Sequence, residues 1–311
     1  MYQYITHLLA GGLGNQLFQI FTTISIAKEN NIDFIFSNKT FSNKKKNINV
    51  DFSKMKKDEN GDTIRKTYWD SFLVNLFPYL KTDFDNDSGF DIIKYIINED
   101  NLNKNIILPQ IPSTSCQSIE YNLEGYYQSP KFFDKNKNYI LEITGIFNII
   151  HLLKKSMNKT QLKIKEKSIS IHFRLGDYKN LQYCHPILNV SYYIESIEYI
   201  LQNAKIKPQY VEYYCEEEDI NIVLNMIEKL KFIFNDLEFI RNNNNSDWQQ
   251  LIQMSLCKYN VIANSTFSWW GAYLNTNTDT IVCYPNIWFG PGIIKNIDDM
   301  FPENWKCVSA Q

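Results

Sequence analysis

Apolar positions along the chain recur in two alternating periods, and the alternation itself suggests the fold. Residues 4–10 read as a short strand, which Gly11, Gly12 and Gly14 break. Leu17, Phe18, Phe21 and Ile24 then repeat at helical spacing, and a second strand is expected at 33–36. Residues 38–117 carry weaker periodicity and several loop-like runs, such as "SNKKKN" and "KMKKDENGD". An apolar helix is expected over 139–156, running into the basic stretch "KKSMNKTQLKIKEK", a natural domain junction.

The second half is more regular. Strands are expected at 168–173, 209–215, 237–240, 260–263 and 280–284, alternating with helices at 191–202, 219–230 and 247–254 and another after Asn264. Strands separated by helices of 10–15 residues imply parallel sheets with Rossmann-like winding. With 311 residues the chain suits two domains. The expected architecture is therefore α/β, with two Rossmann-like domains facing a central cleft, residues 1–163 and 164–311. No internal repeat is visible.

Composition narrows the function. Thirty-four acidic and 32 basic residues leave a formal charge of −2, so no global field attracts nucleic acid. The basic stretch at 154–167 is read as a solvated face, with peripheral contact to anionic lipid as the alternative. Cys116, Cys184, Cys215, Cys257, Cys283 and Cys307 are scattered, which suits reduced thiols rather than a disulfide frame. Four distant histidines form no zinc pattern. The N-terminus has no basic segment before its short apolar run, and no stretch approaches a membrane span, so a cytoplasmic protein is the expectation. "DFDNDSGFDIIK" places Asp83, Asp85 and Asp87 at calcium-loop spacing, but its glycine falls one place late and Lys94 stands where a glutamate ligand belongs. A solvated loop is the better reading.

Four polar stretches fall at strand ends, where parallel α/β sheets bind ligands: "GGLGNQ", "HFRLGDY", "CEEED" and "ANSTFS". Gly12 and Gly14 allow close backbone approach, and Asn15 and Gln16 supply hydrogen-bonding tips. Arg174 offers a permanent bidentate cation for phosphate, or a structural ion pair with Asp177. Asn264, Ser265 and Thr266 precede a helix, where free N–H groups and hydroxyls suit either a phosphate cradle or an ordinary helix cap. Glu216 and Glu217 suit the paired donors of guanine, or a solvated helix start. His172 and Asp177 are candidate proton acceptors, and His172 is equally a satisfied strand histidine.

Taken together, "GGLGNQLFQ", "IHFRLGDY", "HPILNVSYYIESIEYI" and "SLCKYNVIANSTFSWWGAYLN" resemble the inverting α-1,2-fucosyltransferases of glycosyltransferase family 11 in order and spacing. That resemblance implies a GT-B-like fold, GDP-fucose as donor substrate, a galactose-terminated glycan as acceptor, and no metal or other cofactor. It puts Arg174 on the donor pyrophosphate with Asn264, Ser265 and Thr266 nearby. Gly12, Gly14, Asn15 and Gln16 then line the cleft, with Asn15 positioning the acceptor hydroxyl. Two departures stand out: Leu175 occupies a position often filled by a second arginine, and "YYCEEEDI" replaces a more usual Phe-Ser-Asp-Asp-like strand end. The alternatives are a different GDP-sugar or linkage, and an inactive glycan- or nucleotide-binding protein.

Overall fold

The computed structural model describes residues 2–37, 67–81, 92–99, 108, 118–243 and 246–310. The acidic stretch 83–89, Cys116 and the loop-like runs within 38–66 lie outside the described residues. The chain divides into two compact units, Met1–Ile149 and Ile150–Gln311.

In the first unit, β1 (Gln3–His7) leads through the glycine turn into α1 (Leu13–Asn30). The strands β2 (Asp33–Ser37), β3 (Leu80–Lys81), β4 (Ile92–Asn98) and β5 (Ser118–Glu124) follow. They form a parallel sheet in the order β3-β2-β1-β5-β4. The expected helix over 139–156 is two: α2 (Lys137–Ile143) and α3 (Ile146–Ser156), the latter running past Ile149 into the second unit. Gly145 separates them at φ +74°, a left-handed conformation that a continuous helix cannot contain.

The second unit continues with α4 (Lys159–Lys165), which falls within the basic stretch read as a junction. Asn158 and Gln161 close its start with a reciprocal capping box. There follow β6 (Ser168–His172), α5 (Val190–Asn203), β7 (Tyr210–Tyr214), α6 (Ile220–Ile233) and β8 (Glu238–Arg241). Then come α7 (Asp247–Leu256), β9 (Tyr259–Val261), α8 (Thr266–Tyr273), β10 (Val282–Pro285) and β11 (Lys306–Val308). All six strands pair in parallel, in the order β11-β10-β9-β6-β7-β8. Numbered within this unit from its first strand, that is 3-2-1-4-5-6, the Rossmann order.

The alternation in "SISIH" does not mark an exposed face, because every residue of β6 is buried. Ile169 and Ile171 pack in one core with Tyr192 and Ile197 of α5 and Val223 and Ile227 of α6. The serines face the other layer and are satisfied there. Ser168 Oγ donates to the Ile164 carbonyl at 2.6 Å, and Ser170 Oγ accepts from Asn260 Nδ2 at 2.7 Å. Parallel sheets are covered on both faces, so a polar strand residue survives only with a partner. Trp269 and Trp270 are fully buried, and Trp269 donates to the Met300 carbonyl at 2.9 Å.

Candidate functional site

In a sheet of order 3-2-1-4-5-6, successive connections turn in opposite directions on either side of strands 1 and 4. The loops after these strands separate and leave a crevice at their carboxyl ends. Here those strands are β6 and β9. Arg174 stands two residues beyond β6, and Asn264 to Thr266 lead from β9 into α8. The second unit thus brings these two sequence stretches to one point.

Arg174 is largely buried, and its guanidinium pairs with both Asp177 and Glu216. Burial alone would lower its pKa, but the two carboxylates outweigh that and raise it. The tight approach depends on Gly176, at φ +39°. A Cβ there would lie 2.9 Å from the Glu216 carboxylate oxygens and 3.0 Å from Arg174 Nη1. The Gly176 amide donates to Asp219 Oδ2 at 2.7 Å, and Lys179 Nζ donates to Asp219 Oδ1 at 2.6 Å. Asp219 is fully buried, so it pins the turn after β6 against the turn after β7.

The two glutamates separate. Glu216 goes to Arg174, whereas Glu217 accepts from Arg241 Nη2 at 2.5 Å. Leu175 is buried in the apolar core, so the position beside Arg174 contributes packing and no charge.

Ser265 occupies the N-cap of α8 in an extended conformation, but its side chain makes no bond to the first turn. Instead Ser268 Oγ accepts from the Ala263 amide at 3.2 Å. Asn264 is buried; its Nδ2 donates to the Pro186 carbonyl at 2.8 Å while its Oδ1 has no partner. His172 is also buried, 5.5 Å from the Phe267 ring, with Nδ1 unpartnered. Burial first, and the Arg174 charge second, hold its pKa down to about 3. It is therefore neutral at physiological pH and a weak proton acceptor. Asp177 is the more exposed of the two candidate bases.

The glycine-loop residues belong to the first unit. Gly12 caps α1 and Gly14 is buried in its first turn. Gln16 is buried and turns back, donating through Nε2 to the Gly11 carbonyl at 3.0 Å, so it braces the loop. Asn15 is half-buried, and its Oδ1 accepts from Gln128 Nε2 at 3.0 Å.

Three residues with no role in the sequence reading complete the second unit's cluster: Tyr178, Asp219 and Arg241. Tyr178 and Asp219 stood within quoted motifs, but the bond of Tyr178 to Asn264 and those of Asp219 to Gly176 and Lys179 join distant segments and left no local signal.

Among the described residues no helix is long and apolar enough to cross a membrane. A sequence profile of glycosyl transferase family 11 matches residues 96–309. An Escherichia coli O-antigen biosynthesis glycosyltransferase, WbnK, is 30% identical over 186 residues, 54% of this chain and 55% of that protein. The chain thus spans about half the length of that relative. An E. coli alpha-1,2-colitosyltransferase is 27% identical over 96% of both chains. A Caenorhabditis elegans galactoside 2-alpha-L-fucosyltransferase is 25% identical over 98% of this chain and 79% of its own. With the family profile covering more than half of its length, on a parallel α/β unit whose polar residues meet at the switch point, the chain belongs to glycosyltransferase family 11.

Proposed function

We propose that the protein transfers L-fucose from GDP-fucose to a galactose-terminated glycan, with inversion, forming an α-1,2 linkage without a metal. The observation that carries this reading is that Tyr178 joins Arg174 to Asn264, the residue leading into α8, at the switch point of the second unit's sheet. Breaking the sugar C1–O bond leaves negative charge on the diphosphate as an oxocarbenium-like sugar forms. A permanent cation and the N–H groups at a helix start stabilise that charge from fixed positions. Asn264 shapes the approach to α8, with Ser265 and Thr266 at its first turn. At the end of β7 a carboxylate suits guanine N1–H and the exocyclic amine, and of Glu216 and Glu217 the more exposed Glu217 is the better placed, because Glu216 holds Arg174. Glu216 pairs with Arg174, so a donor diphosphate taken by the same guanidinium exchanges one anion for another.

The acceptor hydroxyl must lose a proton as it attacks C1. Asp177 fits that task better than His172, whose burial keeps it a poor base. Asn15, with Gly12 and Gly14 beside it, would position the acceptor.

The test is GDP release from GDP-fucose, with and without a β-galactoside, in EDTA. GDP-colitose is run in parallel because a relative matching nearly the whole chain is named for colitosyl transfer. Acceptor-dependent release despite chelation supports the proposal. Arg174→Ala should lower the rate by roughly 10²–10³, as for loss of one preorganised charge-stabilising group. GDP-fucose that neither binds nor turns over, or a near-normal Arg174→Ala enzyme, refutes the donor assignment.

A further inference from the structure

Tyr178 touches both halves of the cluster in the second unit. Its ring centroid lies 4.8 Å from Arg174 Cζ, and its hydroxyl donates to the Asn264 carbonyl at 3.1 Å. Its other contacts hold it in place. Its amide donates to the Leu175 carbonyl at 2.7 Å, and His185 stacks on its ring at 4.7 Å and 17°. His185 is backed in turn by Phe289 at 5.7 Å. Asn264 is tethered at its other end to the Pro186 carbonyl, one residue beyond His185.

A guanidinium has two kinds of surface. Its N–H edges take carboxylate or phosphate oxygens, and its flat face takes an aromatic ring. Asp177 and Glu216 use the edges of Arg174 and would compete there with an arriving anion. Tyr178 carries no charge: its ring lies against the guanidinium and its hydroxyl is close enough to hydrogen-bond it as well, so it sets no rival anion at those edges. It can therefore hold Arg174 while the edges change partners, and its hydroxyl meanwhile anchors the backbone that leads into α8.

We propose that Tyr178 is a positioning residue for the leaving diphosphate: its ring orients the Arg174 guanidinium and its hydroxyl sets the place of the α8 start relative to that cation. The proposal rests on the GDP-sugar reading. Its test is a cycle of Tyr178→Phe, Tyr178→Leu, Arg174→Gln and the corresponding double variants, using GDP as the probe in titration calorimetry. Donor kcat and KM are measured alongside, and thermal melts confirm folding.

Tyr178→Phe keeps the packing of the ring and loses the hydroxyl's contacts to the Asn264 carbonyl and to Arg174, so GDP affinity or kcat should fall about 2- to 10-fold. The further step from Phe to Leu removes the ring and should cost about another 3- to 30-fold. In the Arg174→Gln background that second step should shrink to below 2-fold, because the ring no longer has a cation to hold. A merely structural ring would cost the same in both backgrounds. Independent, multiplying losses overturn the positioning role while leaving the donor reading intact. An unchanged Tyr178→Phe enzyme overturns the hydroxyl's part, with no dependence on how well the Leu variant folds. If Arg174→Gln binds GDP as tightly as the parent, the donor reading falls and the proposal falls with it.

Discussion

Replacing Lys165 with methionine isolates a buried charge pair in the second unit. Lys165 at the end of α4 and Glu212 on β7 are both buried and form an ion pair. Lys165 Nζ also donates to the Gln253 carbonyl at 3.1 Å and contacts Cys257 Sγ at 3.6 Å. The other carboxylate oxygen of Glu212 accepts from Tyr214 Oη at 2.8 Å and Asn242 Nδ2 at 2.6 Å. Burial by itself would raise the Glu212 pKa, but Lys165, Asn242 and Tyr214 together bring it below the usual carboxylate range. Removing one partner from such a pair leaves a buried, uncompensated charge and typically costs about 3–5 kcal/mol. The neutral donors that remain, Tyr214, Asn242 and the Cys257 thiol, place Lys165→Met toward the lower end. A double variant, Lys165→Met with Glu212→Leu, removes the orphan charge and leaves Tyr214 and Asn242 short of an acceptor, at about 1–3 kcal/mol in total. Urea unfolding followed by tryptophan fluorescence reads this unit well, because only Trp69 lies outside it. A loss below about 1 kcal/mol in Lys165→Met, or a double variant less stable than the single, would refute the assignment. The sign with pH is also set. A lowered carboxyl pKa stabilises the fold above the unfolded value near 4.5. That contribution drains as pH falls below it toward the folded value, and Lys165→Met should remove it.

Two further outcomes follow from the site. His172 has a folded pKa of about 3 against an ordinary 6.5, so the unfolded chain takes up its proton first as pH falls. Stability should drain between pH 6.5 and 3 by up to about 1.4 kcal/mol per pH unit from this residue. His172→Asn should flatten the slope; an unchanged slope in denaturant midpoints across that range would show that His172 is not held neutral. Glu216→Gln should lower the donor KM by about 2- to 5-fold, the scale of releasing a partly exposed ion pair that the diphosphate must displace. A raised KM would instead give Glu216 a direct contact with the nucleotide.

Much of the second unit was legible from local pattern. The period-2 run ending at His172 and the period-3.6 run of α5 are properties of adjacent residues, and their alternation implied parallel winding. The polar stretches after β6 and β9 were visible for the same reason. Helix breaks were less so: Gly145 splits the 139–156 helix through one positive φ, and a single glycine within an apolar run does not announce its dihedral.

The amino-acid sequence by itself determined the alternation of strands and helices over 168–284 and the chemistry at their ends, because periodicity, glycine turns and residue type act over a few neighbours, whereas β3, β4, β5, β11 and α4 left no such signal. Only the tertiary structure decided the order 3-2-1-4-5-6, which makes β6 and β9 neighbours and so brings the loop that carries Arg174 next to the loop that carries Asn264. It also sent Glu216 to Arg174 and Glu217 to Arg241, buried Leu175, and set Tyr178 between the two loops. Those choices depend on contacts between residues dozens of positions apart, such as the 86 that separate Tyr178 from Asn264. Packing selects them, and no local pattern encodes them.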